Sequence, residues 1–259
     1  MNPILQHLDI IGIPLLAGVL VVATHVLLGR EVLRRGIIFI DLAIAQIAGL
    51  GVLVAALLGW ESGGWETQLI AAGSALLGAS LIRAFERFWP ELQEALIGVT
   101  FVMAATGALL LLSGNPHGAE QLEALLAGQL LWVDGAQLQV VAAVYLPVLL
   151  LWFLAGSGGL RFYLLFAVTV TASVQLVGVY LVFSCLIIPA LAVRRLRGTA
   201  ALLCGYGLGV LAFTAGLLCS LWLDTPAGPT VVWMLALLGV LFSITIKRIT
   251  SHHATHAGL

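Results

Sequence analysis

The sequence predicts an all-α protein, a polytopic transmembrane helix bundle of about 8–9 spans in which one helix pair is broken and re-entrant. Three observations carry that prediction. Hydrophobic residues make up 61% of the chain and charged residues 9%, with a mean hydropathy of +1.13, which is the composition of a membrane-embedded bundle without a soluble domain. All 11 basic residues fall in short clusters separated by apolar runs, at Arg30/Arg34/Arg35, Arg83/Arg87, Arg161, Arg194/Arg195/Arg197 and Lys247/Arg248. Residues 162–193 carry no charge at all. At ~1.5 Å per residue that stretch reaches ~48 Å, too long for one ~30 Å crossing and too short for two. It is expected to enter the membrane, break and return, with Gln175, Gly178 and Pro189 as the interruptions. Interruptions at membrane depth survive only where protein or a water-filled cavity satisfies the freed backbone, and they commonly line a transport path; two short tilted spans with no conducting role are the alternative.

The chain reads as one membrane domain over residues 1–259, with a tail from about 247. Its N-terminal ten residues, MNPILQHLDI, lack the basic region and small-residue cleavage site of a signal peptide and read as the approach to the first span. Span one covers about 10–29 and ends at Gly29 before the first arginine cluster; span two runs over about 36–59 to Trp60. A short loop holding Glu61 and Glu66 leads to span three, about 67–83, where Ala71, Ala75 and Ala79 form a small-residue face for close helix packing. Span four is about 92–113. Residues 115–135 are too polar to cross, yet Leu122, Leu125, Leu126 and Leu130 share one face, as in a helix lying at the interface. Span five is about 137–155, and a glycine-rich turn over 156–161 leads into the broken segment. The next span, about 200–222, carries Gly205 and Gly209 at close-packing spacing, and the last runs over about 230–246. Trp60, Trp65, Trp89, Trp132, Trp152 and Trp222 fall near span ends, where amphipathic rings prefer the headgroup layer. With every basic cluster on the cytoplasmic side, the topology is N-terminus out and C-terminus in.

Catalytic chemistry is not expected. The only lysine is Lys247, so no phosphate-binding GxxxxGK[ST] loop exists, and GxSxG, HExxH and CxxC are absent. Cys185, Cys204 and Cys219 sit in apolar runs without metal-ligand spacing. Active transport would therefore draw its energy from another chain or from an ion gradient.

Ionisable groups inside the hydrocarbon are rare and each is a candidate for function. In an antiparallel hairpin of spans one and two, His25 and Asp41 come to similar depth and are expected to pair, either as cation ligands or as a hydrogen bond that fixes the two helices. Gln46 lies deeper on another face of span two. In the broken segment Gln175, Ser184 and Cys185 either line a path or satisfy the unwound backbone. External His117, Glu120, Glu123 and Asp134 would guide a cation or a docking protein, or simply be solvated. His252, His253 and His256 in the tail are a weak transition-metal signal.

Three stretches carry a resemblance: QLVGVYLVFSCLIIPALAVRRL at 175–196, LDTPAGPTVVWMLALLGVL at 223–241 and EALIGVTFVMAATGALLLLS at 94–113. They resemble the permease subunits of bacterial zinc/manganese ABC importers, in register over nearly the whole chain, and the first two are fairly specific. The resemblance implies an inner-membrane homodimer that imports zinc or manganese, driven by ATP hydrolysis in cytoplasmic ATPase subunits and supplied by a periplasmic metal-binding protein. The chain itself would bind no cofactor tightly. The broken segment, with Gln175, Gly178, Ser184, Cys185 and Pro189, would belong to the gate, and the 115–135 helix to the docking face.

This chain departs from that family in two places. The family's Gly-Asp-Ala-Leu-Ser-His-like motif in span two, whose Asp and His belong to the metal path, falls here on Leu42 and Gln46, with Asp41 in place of the Gly. A neutral amide is a poor zinc ligand beside imidazole, so Asp41 and His25 are the metal-ligand candidates that remain. The family's longer connection before the broken segment, with a helix that docks into the ATPase, is replaced by residues 156–161. Coupling would then fall to Arg83, Arg87, Glu94, Arg161, Arg194 and Arg195. An ATPase-independent gradient carrier or channel, or a non-transporting membrane scaffold or sensor, are the competing readings.

Overall fold

The requirement that every backbone polar group inside a bilayer be satisfied within the protein is met by helices throughout. A computed structural model describes residues 3–60, 64–113, 115, 118–156 and 158–256. The described residues form α1 (Pro3–Arg35), α2 (Ile40–Leu57), α3 (Trp65–Phe88), α4 (Gln93–Leu112), α5 (Gly118–Ala127), α6 (Gly135–Ala155), α7 (Gly159–Val177), α8 (Val179–Ala192), α9 (Gly198–Leu223) and α10 (Ala227–His256). Eight of these are long and apolar enough to cross a membrane, while α5 is amphipathic and α8 is short and apolar. Most span boundaries agree with those read from hydropathy to within a few residues, but α1 starts earlier than expected and runs on past Gly29 to Arg35, and α10 runs on past residue 246. Glu61, His117 and Ser157 lie outside the described residues.

The broken pair is the centre of the bundle. On one side α8 packs against α1 and α10, and α1 packs against α9; on the other α7 packs against α3, and α2 packs against α3 and α4. Small residues make the close approaches. A Cβ at Gly29 would fall 1.9 Å from the Leu186 carbonyl oxygen, so α1 and α8 meet backbone to backbone. Gly205 and Gly209 of α9 receive Val26 and Val22 of α1, and Ala71, Ala75 and Ala79 of α3 are fully buried.

The interruption is narrower than the sequence suggests. Gly178 alone breaks the pair, with φ +82°, and the helix runs on through both Gln175 and Pro189. Gly178 N still donates to Val174 O at 2.9 Å and Gly178 O accepts from Val182 N at 3.1 Å, so the break leaves few groups unsatisfied. Proline inside α8 removes one donor without ending the helix, because neighbouring helices enclose it.

Helix α5 is the amphipathic helix of the 115–135 stretch. Its leucine face covers the bundle: Leu125 packs against Gly49 of α2, and Leu130 just beyond it is buried. Trp60, Trp65, Trp89, Trp132 and Trp222 stand exposed at or beside helix ends, whereas Trp152 packs against the core. Helix α10 continues through the tail to His256.

At the end of the bundle that carries arginine, α1, α3 and α7 are tied by charge. Arg35 Nε donates to Glu31 Oε1 at 2.8 Å, Arg35 pairs with Glu86 at 3.5 Å, and Glu86 pairs with Arg83. The Arg35 guanidinium also lies 4.3 Å from the centroid of the Phe162 ring, and Gln93 donates to the Tyr163 hydroxyl at 3.0 Å. The Gly29 contact gives a direct test. Gly29→Ala overpacks α1 against α8 and costs ~1–3 kcal/mol, seen as a lower midpoint of thermal unfolding in detergent. Gly207→Ala, where a Cβ meets nothing within 4 Å, leaves that midpoint unchanged or raises it.

Candidate functional site

An open, mostly apolar cavity of about 620 Å³ lies between α2, α4, α5, α8 and α10. Leu42 and Gln46 reach it from α2, Phe101 from α4, Leu122 and Leu126 from α5, Tyr180 and Ser184 from α8, and Trp233 from α10. The break at Gly178 delivers the first turn and a half of α8 to its wall. Its polar groups are few. Ser184 Oγ donates to Tyr180 O at 2.8 Å, which satisfies its proton within the helix and leaves its lone pairs for the cavity. Gln46, 3% exposed, lines the cavity among mostly apolar side chains. Tyr180 and Trp233 are exposed, so this face of the chain is open.

The other intramembrane groups lie inside the protomer. His25 is fully buried on α1, with Nδ1 2.8 Å from Val21 O and 3.0 Å from Thr24 Oγ1. Asp41 is fully buried in the first turn of α2. Among the described residues, His25 Nε2 and both Asp41 carboxylate oxygens have no hydrogen-bond partner. The expected His25–Asp41 pair is therefore not made. The physical reason is topological: α7 and α8 insert between α1 and α2, each touching both, so the two helices do not close as a hairpin. Cys185 is fully buried within electrostatic reach of Asp41. Nearby, Tyr145 and Ser173 hydroxyls are 2.5 Å apart and Ser173 donates to Thr169 O at 2.6 Å, a polar thread joining α6 to α7. Among the described residues no three His, Cys, Asp or Glu side chains gather as a metal-ion cage.

Of the remaining candidates, Gln175 is exposed on the last turn of α7, Gly178 is the break, and Pro189 is buried in α8. Arg87, Arg161, Arg194 and Arg195 are exposed. Arg83 and Glu94 are engaged within the fold: Arg83 with Glu86, and Glu94 Oε1 with the backbone N–H of Phe39 at 3.2 Å and with that of Ile38. Glu94 thus caps the N-terminus of α2 from the first turn of α4, where the helix dipole favours a carboxylate. Neither this cap nor the Arg35–Glu86 tie has a sequence signal, since both join residues far apart in the chain.

Residues 7–156 and 159–246 match the ABC 3 transport family. A stretch of 88 residues is 38% identical to the high-affinity zinc uptake system membrane protein ZnuB of Haemophilus influenzae. It covers 33% of this chain and 34% of that protein, so the match spans about a third of the length of this curated relative. The fold is similar to PsaBC from Streptococcus pneumoniae in complex with Fab, with a TM-score of 0.73, 19% sequence identity and coverage of 92% of this chain and 95% of that one. At that identity the likeness is one of fold.

The Glu94 cap yields its own expectation. Glu94→Ala leaves the first N–H groups of α2 without that acceptor and costs ~1 kcal/mol, while Glu94→Gln, which keeps an acceptor, costs less. Chemical unfolding of both variants in detergent measures the difference; equal losses would remove the capping role.

Proposed function

The chain belongs to the ABC 3 transport family, and from that premise we propose that it is the multi-pass permease subunit of an ABC importer for a divalent transition metal ion. Zinc is the first choice of cargo, on the relative named for zinc uptake, and manganese the second. The observation that carries the reading is the break at Gly178, which turns α8 back along the wall of the open cavity in a chain of this family.

In this reading the whole chain acts as one transmembrane domain of the bacterial inner membrane, with N-terminus outside and C-terminus, from about residue 247, in the cytoplasm. Two copies face each other across the open cavity, and their Tyr180 and Trp233 rings cover one another's apolar walls. ATP is hydrolysed by a partner ATPase subunit, because Lys247 is the only lysine and no phosphate loop exists in this chain. A periplasmic metal-binding protein delivers the ion at the α5 face. Gln46, Ser184, Gln175 and the Gly178 break form the path and gate, with Cys185 and Pro189 behind the wall of α8. Asp41 and His25 Nε2 hold lone pairs the fold does not use, and a passing divalent ion can take them. His25 and Asp41 stand on helices that α7 and α8 keep apart, so each offers a single weak contact, as conduction requires. Arg83, Arg87, Glu94, Arg161, Arg194 and Arg195 mark the cytoplasmic end, and the exposed ones, Arg87, Arg161, Arg194 and Arg195, are the grips offered to the ATPase.

A second reading has one observation in its favour. The family match is interrupted between residues 156 and 159, at the short connection to α7 where an ATPase-docking helix is lacking, which suits a carrier or channel that works without an ATPase. Mild-detergent pull-down of the tagged chain from its host's membranes separates the two. Near-stoichiometric recovery of a chain bearing a phosphate loop is the expected result; repeated recovery of the folded protein alone would overturn the ABC assembly.

For the path residues, Asp41→Asn and His25→Ala are each expected to lower zinc uptake into proteoliposomes about 10–100-fold without loss of folded yield. Reduced yield with normal uptake per folded molecule would assign both residues to structure instead.

A further inference from the structure

Helix α5 is held to the bundle at both ends by backbone contact. At its start, a Cβ on Gly118 would lie 2.7 Å from the Leu112 carbonyl oxygen. At its end, Gly128 (φ +71°) meets the α7–α8 break: a Cβ there would fall 2.3 Å from the Val177 carbonyl carbon, and a Cβ on Gly178 (φ +82°) would fall 2.4 Å from Gly128 N. On a further side a Cβ on Gly228, at the start of α10, would fall 2.6 Å from Ala127 O. Three chain segments therefore touch backbone to backbone, with no side chain between them to change rotamer and absorb a displacement. Between those ends Leu122 and Leu126 of α5 and Val179, Tyr180 and Ser184 of α8 line the same cavity. The outer face of α5 carries exposed Glu120, Gln121 and Glu123.

We propose that Gly128 and Gly178 are positioning residues of the gate: their contact makes external helix α5 and the start of α8 move as one body, so that a protein seated on the outer face of α5 sets how far the cavity opens at Ser184. Packed contacts of this kind transmit a shift and do not deform continuously. A side chain at either glycine suffers twice, from the left-handed backbone and from the backbone it would strike. The role of a docking protein rests on the transport reading; the mechanical coupling does not.

The test reads the cavity directly. In a background with Cys185, Cys204 and Cys219 replaced by alanine, Ser184→Cys is labelled with a membrane-impermeant thiol reagent. Adding Gly128→Ala is expected to speed labelling about tenfold, the effect of ~1.4 kcal/mol on an opening equilibrium. Gly73→Ala, whose Cβ meets nothing within 4 Å, leaves the rate unchanged. Gly228→Ala presses on Ala127 from the α10 side and is expected to shift the rate as well, and it carries the test if Gly128→Ala does not fold. An unchanged rate in a folded variant overturns the coupling. Hydrogen exchange on the unmodified protein gives an independent reading: residues 124–128 and 176–182 should open at one common rate, and independent opening overturns the proposal. Shifted labelling in a protein that does not take up zinc with its ATPase would remove the transport reading and keep the coupling. Normal uptake with unshifted labelling in folded Gly128→Ala would do the reverse.

Discussion

The contact on which the rest of the bundle depends is the burial of the α7–α8 pair between two groups of helices. A break in a helix inside hydrocarbon exposes the last carbonyls of one half and the first N–H groups of the other, and lipid satisfies none of them. Here α1, α9 and α10 close around α8 while α2, α3 and α6 close around α7, so the break is enclosed by protein except where it meets the cavity. The Gly29–Leu186 approach follows from this arrangement, because α8 is short and must be held along its length by a helix that can come close. So does the burial of Phe162, Tyr163 and Phe166 at the start of α7, where Arg35 lies against Phe162 and the Gln93 amide bonds Tyr163. One end of the re-entrant pair is thus fixed by aromatic and charged contacts and its tip by glycine backbone.

How much of this was legible from the sequence depends on which solvent imposed the pattern. Hydropathy gives the spans because lipid tolerates no polar backbone and few charges, and the break is legible as a charge-free stretch of the wrong length. Ala71, Ala75 and Ala79 and the pair Gly205 and Gly209 are legible for the same reason, since helices in lipid gain by close approach at small residues. What local pattern cannot carry is the identity of the neighbour. The short connection between α1 and α2 reads as a hairpin, yet α7 and α8 enter between them and separate His25 from Asp41. Glu94 reads as part of a surface for coupling to an ATPase, yet the N-terminus of α2 lies beside it. Gly128 falls inside the stretch read as an interfacial helix, and only the fold brings it against Gly178.

The placement of polarity separates two regions with different physical demands. In the cavity, Gln46 and Ser184 interrupt a hydrocarbon wall, and both are neutral, so they offer dipoles without a fixed charge to trap an ion. Inside the protomer, the Thr24, Tyr145, Ser173 and Thr169 contacts are mutually satisfied and stiffen the packing of α6 on α7. Among the described residues Asp41, His25 Nε2 and, at the arginine-bearing end, Glu94 Oε2 are the exceptions, and burial of a polar group without a partner costs ~1–3 kcal/mol.

That cost bears on how this chain departs from its family's pattern. By the resemblance read from the sequence, Leu42 and Gln46 take the places of the motif's Asp and His; both line the cavity, and a carboxylate, Asp41, stands one residue earlier and fully buried. One residue around a helix is ~100°, enough to carry a side chain from one face to another. The carboxylate of Asp41 thus stands inside the fold, within electrostatic reach of Cys185 of α8. Any ion that used it would have to pass α8, whose start is the element the Gly128 contact holds. The unsatisfied carboxylate and the glycine-held break thus bear on one question of access, and movement of α8 is the event that would connect the cavity to the interior.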